Sequence, residues 1–120
     1  MRTTVAKVRQ IIDTELEDEN IVGIIEGASI LLDQLFISIS MPDTILTEIE
    51  RWLTAHLIAI SKERQAKKEG AGGAYIEYAG EYGSGFEATS YGQTAVALDY
   101  SGTLKGLSGK SAKITAIKQN

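Results

Sequence analysis

The only histidine of the chain, His56, is the first residue to weigh for chemistry, because imidazole titrates near neutral pH and can act as a general base or metal ligand. Either use needs company, a nucleophile or further ligands. The chain has no cysteine and no second histidine, and His56 falls between Trp52 and Ile60 on an apolar stripe of helical spacing. That setting reads as a histidine packed and hydrogen-bonded inside the fold. The acidic run DTELEDEN (13–20) offers Asp13, Glu15 and Glu17 at alternating positions. A calcium loop also needs a glycine for its sharp turn and a closing glutamate, and neither follows at the right distance. Acids at this place suit the entry to a helix, whose N-terminal dipole end is positive.

Two glycine motifs fail on spacing. Gly109-Lys110-Ser111 ends like a phosphate-binding loop, but the glycine required five residues before Gly109 is Leu104, and no long helix can follow. Gly83-Ser84-Gly85 begins like a dinucleotide fingerprint, but its third glycine is replaced by Ala88 and no βαβ unit surrounds it. No carboxylate pair is placed by a motif for acid–base work. The expectation is a protein that is not an enzyme and carries no cofactor or metal.

The elements that could hold these residues are mostly helical. Ile45, Ile49, Trp52, Leu53, His56, Leu57 and Ile60 recur at three- and four-residue steps, predicting a long helix over 42–64 whose start Asp43 or Thr44 can cap. Glu48, Arg51, Thr54 and Lys62 fall on its other side. Ile21, Ile24, Ile25, Ala28, Leu31, Leu32, Leu35, Phe36 and Ile39 predict a second helix over 18–39. Within it Gly23 and Gly27 let a neighbouring backbone come close, inside the fold or across a subunit interface. The acids Glu26 and Asp33 in this apolar run argue against a membrane span. Residues 3–12 read as a short helix, with Val5, Val8 and Ile12 on one side.

Glycine ends the long helix at Gly70, and the chemistry then changes. Seven glycines and four of the five tyrosines fall between Gly70 and Gly92. AYIEYA (74–79) alternates as a strand should, and EYGSGFEATS (81–90) has no periodicity and reads as a mobile loop. Tyr91 to Leu107 returns to helical spacing with a break near Ser101-Gly102, and AKITAI (112–117) alternates again. The expected fold class is therefore mainly α, a small bundle of three helices plus a short C-terminal helix, with a small two-stranded β element. A single domain divides into a helical core (1–69), a glycine- and tyrosine-rich strand and loop (70–90), and a short helix with a terminal strand (91–120).

Charge is unevenly spread. Residues 1–50 hold ten acids and three bases, whereas residues 51–120 hold nine bases and six acids. An acidic front and a basic tail invite head-to-tail association or an acidic partner. Lys62, Arg64, Lys67 and Lys68 gather at the end of the long helix, where cations suit the dipole and could also face passing nucleic acid.

EIERWLTAHLIAI (48–60), followed by YAGEYGSGFEATSYGQTAVALDYSGTLKGL (78–107), resembles the head-tail connector, or adaptor, proteins of long-tailed bacteriophages. The residues carrying the resemblance are Thr89, Tyr91, Gly92, Gln93, Ala95, Leu98, Asp99, Gly102, Leu104 and Leu107, after the ERWL-AH stretch at 50–56. The resemblance spans nearly the whole chain in order. It implies a structural protein of the virion neck, usually a ring of twelve subunits, that joins the capsid portal to the tail. The ring would bind the portal on one side and a tail-completion, stopper or terminator protein on the other, with genomic DNA passing through its lumen without sequence specificity. On that reading Tyr75, Tyr78, Tyr82, Phe86, Tyr91, Lys113, Ile114 and Ile117 contact partner rings, and Lys62, Arg64, Lys67 and Lys68 face the channel or a neighbouring subunit. A flexible aromatic loop and a lone terminal strand suit segments that order on docking. The alternative is a small nucleic-acid-binding or protein-interaction module that uses the basic C-terminal half.

Overall fold

The computed structural model describes residues 1–67 and 85–106, with residues 62–67 described as helical backbone only. Four helices follow in order: α1 (Val5–Arg9), α2 (Asp18–Leu35), α3 (Asp43–Lys67) and α4 (Ser90–Leu98). A 3-10 turn, Phe86–Ala88, precedes α4, and one more helical turn spans 103–106. All regular structure in the described part is helical, with no strand among the described residues; the two alternating segments, 74–79 and 112–117, lie outside them.

The central element is α3, against which α1, α2 and α4 all pack. This is why its stripe is wider than the expected one. Ile49, Leu53, Leu57 and Ile60 are buried as the pattern predicts, but so are Thr54, Ala55, Ile58 and Ser61 on the opposite side. A helix covered on all sides cannot keep a polar face. Thr54, expected toward solvent, is buried and spends its hydroxyl proton on the Glu50 carbonyl at 2.7 Å. The capping expectation also changes: the Pro42 carbonyl accepts from Ile45 N and Leu46 N, both at 3.1 Å, so the backbone of Pro42 closes the first turn. Asp43 stands in that first turn, near the positive end of the helix dipole.

Helix α2 begins at Asp18 with Asp18 and Glu19 in its first turn, as the acidic run predicts. Arg9 fastens the joint before it, donating to the carbonyls of Thr14 (3.2 Å) and Leu16 (2.7 Å) and to Asp18 (2.7 Å). The helix ends at Leu35, earlier than the apolar pattern suggests. Phe36 leaves helical geometry and turns into the core, which puts Ile37 outside at 81% exposure. The short helix expected over 3–12 is only Val5–Arg9, capped by the Thr4 hydroxyl, which accepts from Lys7 N at 3.2 Å.

Candidate functional site

Two clusters of buried polar groups organise the molecule. The first lies where α4 meets α3. Thr89 is the N-cap of α4, its hydroxyl accepting from Gly92 N at 2.9 Å. The same oxygen is 2.7 Å from Nδ1 of His56 on α3. The His56 ring is fully buried, tilted against the Phe86 ring at a centroid distance of 5.7 Å, and its Nε2 has no hydrogen-bond partner. Gly92 sits so close that a Cβ there would overlap the Phe86 carbonyl oxygen and stand 2.7 Å from His56 Nδ1. One turn away, Trp52 stacks on Tyr91 at 6.3 Å, and the Arg51 guanidinium lies 6.0 Å from the Trp52 ring. Asp99 closes the far end of the unit. Its Oδ1 accepts from Ser101 N at 3.0 Å and from the Ser101 hydroxyl, and its Oδ2 accepts from Leu104 N at 2.7 Å. Gly102 supplies the positive φ (75°) that this turn needs, and Leu104 drops into the core.

A histidine 2.7 Å from a hydroxyl could in principle be a base and a nucleophile. Here the hydroxyl is occupied as a helix cap, and no carboxylate orients the imidazole through Nε2. The ring is sealed from solvent, and burial lowers its pKa to about 4. The pair therefore holds α4 against α3, as expected of a packed histidine.

Between about pH 6.5, where an unfolded imidazole protonates, and about pH 4, the unfolded chain binds the proton and the folded chain does not. Stability is fully present above that window and falls by roughly 3 kcal/mol as pH drops through it. Proton NMR of the single imidazole checks this: a midpoint near 4 in the folded protein is expected, and one near 6.5 would contradict it. Thr89→Val removes both the cap and the His56 contact and should cost about 2 kcal/mol in urea unfolding, whereas Thr89→Ser should keep most of it.

The second cluster is built on Glu50, fully buried on α3. Its carboxylate accepts from the backbone N–H groups of Arg2 (2.7 Å) and Thr3 (2.8 Å) and from the Arg2 guanidinium (3.2 Å). Arg2 continues to Asp33 at 2.6 Å and Asp43 at 3.5 Å, tying the N-terminal segment to the end of α2 and the start of α3. Nothing in the apolar stripe of α3 marks this buried carboxylate. A usable signal was that Glu50, Thr54, Ile58 and Ser61 recur at helical spacing with only one charge among them.

The expected contact residues are distributed unevenly. Phe86, read as part of a mobile docking loop, is 1% exposed and belongs to the core. The 3-10 turn and the Thr89 cap give residues 85–90 a defined conformation in place of that loop. Tyr91 is half-buried, engaged by Trp52. Lys62, Arg64 and Lys67 lie on the last turns of α3. Their side chains, together with Lys68, Tyr75, Tyr78, Tyr82, Lys113, Ile114 and Ile117, lie outside the described residues.

A hollow of about 150 Å³ is lined by Phe86, Glu87, Gln93, Val96 and Lys105, and an open one of about 630 Å³ by Arg9 and residues 14–19. Neither is lined by a histidine, and the Thr14 hydroxyl at the larger one accepts from Leu16 N at 3.2 Å. Among the described residues no group of histidines and carboxylates is placed to hold a metal ion, and no helix is long and apolar enough to cross a membrane. No protein-family model, curated protein or solved structure matches the chain.

Proposed function

We propose that the chain is a head-tail connector subunit, a structural virion protein that assembles into a ring between the capsid portal and the tail or neck. The observation that supports the reading best is the unit from Thr89 to Leu104. The residues that carry the resemblance there (Thr89, Tyr91, Gly92, Ala95, Asp99, Gly102 and Leu104) each have a defined place in one cap, one turn and one docking surface on α3. They act together as a support, which is the part a rigid subunit requires. Phe86 and Tyr91 belong to that support and leave the list of partner contacts. The remaining contacts to partner rings are Tyr75, Tyr78, Tyr82, Lys113, Ile114 and Ile117, with the alternating segments 74–79 and 112–117 supplying a strand for pairing with the portal. Lys62, Arg64, Lys67 and Lys68 face the channel or the next subunit, where DNA passes.

The test is co-sedimentation of the purified protein with the portal protein encoded in the same genome. Saturable binding at a fixed subunit ratio is expected. No binding to portal, combined with DNA affinity that falls steeply with salt, would favour the nucleic-acid-binding module instead.

A further inference from the structure

The outer face of α2 is built for a neighbour that the described part of the fold does not supply. Gly23, Gly27, Ile30 and Gln34 follow one another at steps of four, three and four, opposite the buried line of Ile21, Ile25, Ala28 and Leu32, and Ile37 is exposed in the turn just past the helix end. All five are exposed, Ile30 at 63%, whereas the other isoleucines among the described residues, Ile37 aside, are buried or partly buried. A Cβ at Gly23 or Gly27 would meet nothing within 4 Å, so the close approach that two glycines permit is not used by the described residues. Glycine is the poorest helix former after proline, so both positions weaken α2 with no internal return.

The charge on this face selects the occupant. Helix α2 carries Asp18, Glu19, Glu26 and Asp33 and no base. Asp18 and Asp33 are engaged by Arg9 and Arg2, so two such faces set against each other would oppose Glu19 and Glu26 of each copy, four acids, which argues against a symmetric pair. The chain itself holds the complementary chemistry: residues 100–120 contain Lys105, Lys110, Lys113 and Lys118, no acid, and the apolar Ile114 and Ile117. We propose that the Gly23–Gly27–Ile30 face of α2, with Ile37 just past its end, is the subunit interface of the oligomer, occupied by the lysine-bearing C-terminal part of a second copy of this chain, which assigns Lys113, Ile114 and Ile117 to the neighbouring subunit in place of the portal. The contact joins two different surfaces, so it repeats head to tail and closes into a ring. The inference deepens the connector reading and rests on it for the closure of the ring.

Native mass measurement of the full chain tests it, with Ile30→Glu, Ile37→Glu and Glu26→Lys on the face and a Lys110→Glu/Lys113→Glu/Lys118→Glu variant on the tail. Glu26 is chosen because Asp18 and Asp33 are engaged by Arg9 and Arg2. Each variant is expected to raise the concentration for half-assembly at least ~10-fold, with circular dichroism and melting unchanged because the altered face positions are exposed. Combining Glu19→Lys and Glu26→Lys with the lysine-to-glutamate changes in one chain should restore assembly, which a merely unfolded or sticky variant cannot do. Assembly unaffected by the face variants overturns the inference and leaves the connector reading standing. Sensitivity to Ile30→Glu without any effect of the tail changes overturns the proposed occupant. Wild-type protein that stays monomeric at every concentration and salt, with or without portal, removes both.

Discussion

Gly92→Ala is expected to lower stability by at least about 3 kcal/mol, a large loss for one methyl group. The added Cβ would overlap the Phe86 carbonyl oxygen, stand 3.0 Å from the Phe86 carbonyl carbon and meet His56 Nδ1 at 2.7 Å. The carbonyl belongs to backbone in the 3-10 turn, and the imidazole is fully buried, so neither can move aside without opening the core. Relief would require α4 to lift from α3, exposing Ala95 and breaking the Thr89–His56 contact. For a domain of this size the melting temperature should fall by ~15 °C. Gly23→Ala is the control: with nothing within 4 Å it should leave the fold unstrained and stabilise α2 by about 0.5–1 kcal/mol. A Gly92→Ala protein that melts like the wild type would show that α4 does not seat on α3 as described.

Glu50→Ala should be the other severe change, at about 3–5 kcal/mol, the usual result of removing one partner from a buried, hydrogen-bonded charge pair. The loss would strand the N–H groups of Arg2 and Thr3 and leave the Arg2 guanidinium with its two exposed partners, Asp33 and Asp43. Glu50→Gln keeps one acceptor and should cost about half as much. Hydrogen exchange separates this from a general loss of packing. Amides at the N-terminal segment and α1 should lose protection first in Glu50→Gln, with the α3–α4 junction still protected. Uniform loss across both regions would contradict a local staple.

Much of this architecture is legible in the chain, and the failures have physical causes. The periods of α2 and α3 are visible because each buries apolar residues at helical steps, and Pro42 marks the start of α3, whereas the end of α2 at Leu35, seven residues earlier, has no such marker. His56 is legible as packing because it lies on the apolar stripe of α3, in a chain with no cysteine and no second histidine. What periodicity conceals is burial on the second side of α3. Thr54, Ser61 and Glu50 are polar by type, yet their surroundings are supplied by helices far away in the chain, which a local pattern cannot report. Phe86 was hidden for a related reason: a single aromatic among glycines has no period, and only the docking of α4 reveals it as core. Thr89, Gly92, Asp99 and Gly102 stand out in the sequence only through the resemblance to connector proteins, and their work as cap, close contact and turn emerges from geometry.

The central claim, that this helical subunit assembles as a ring on a portal, is tested most directly by electron micrographs of the purified protein mixed with its portal. Rings of one stoichiometry seated coaxially on the portal are predicted, with an open channel along the shared axis. Bare portals beside unassembled protein, at every salt concentration and mixing ratio, would contradict it.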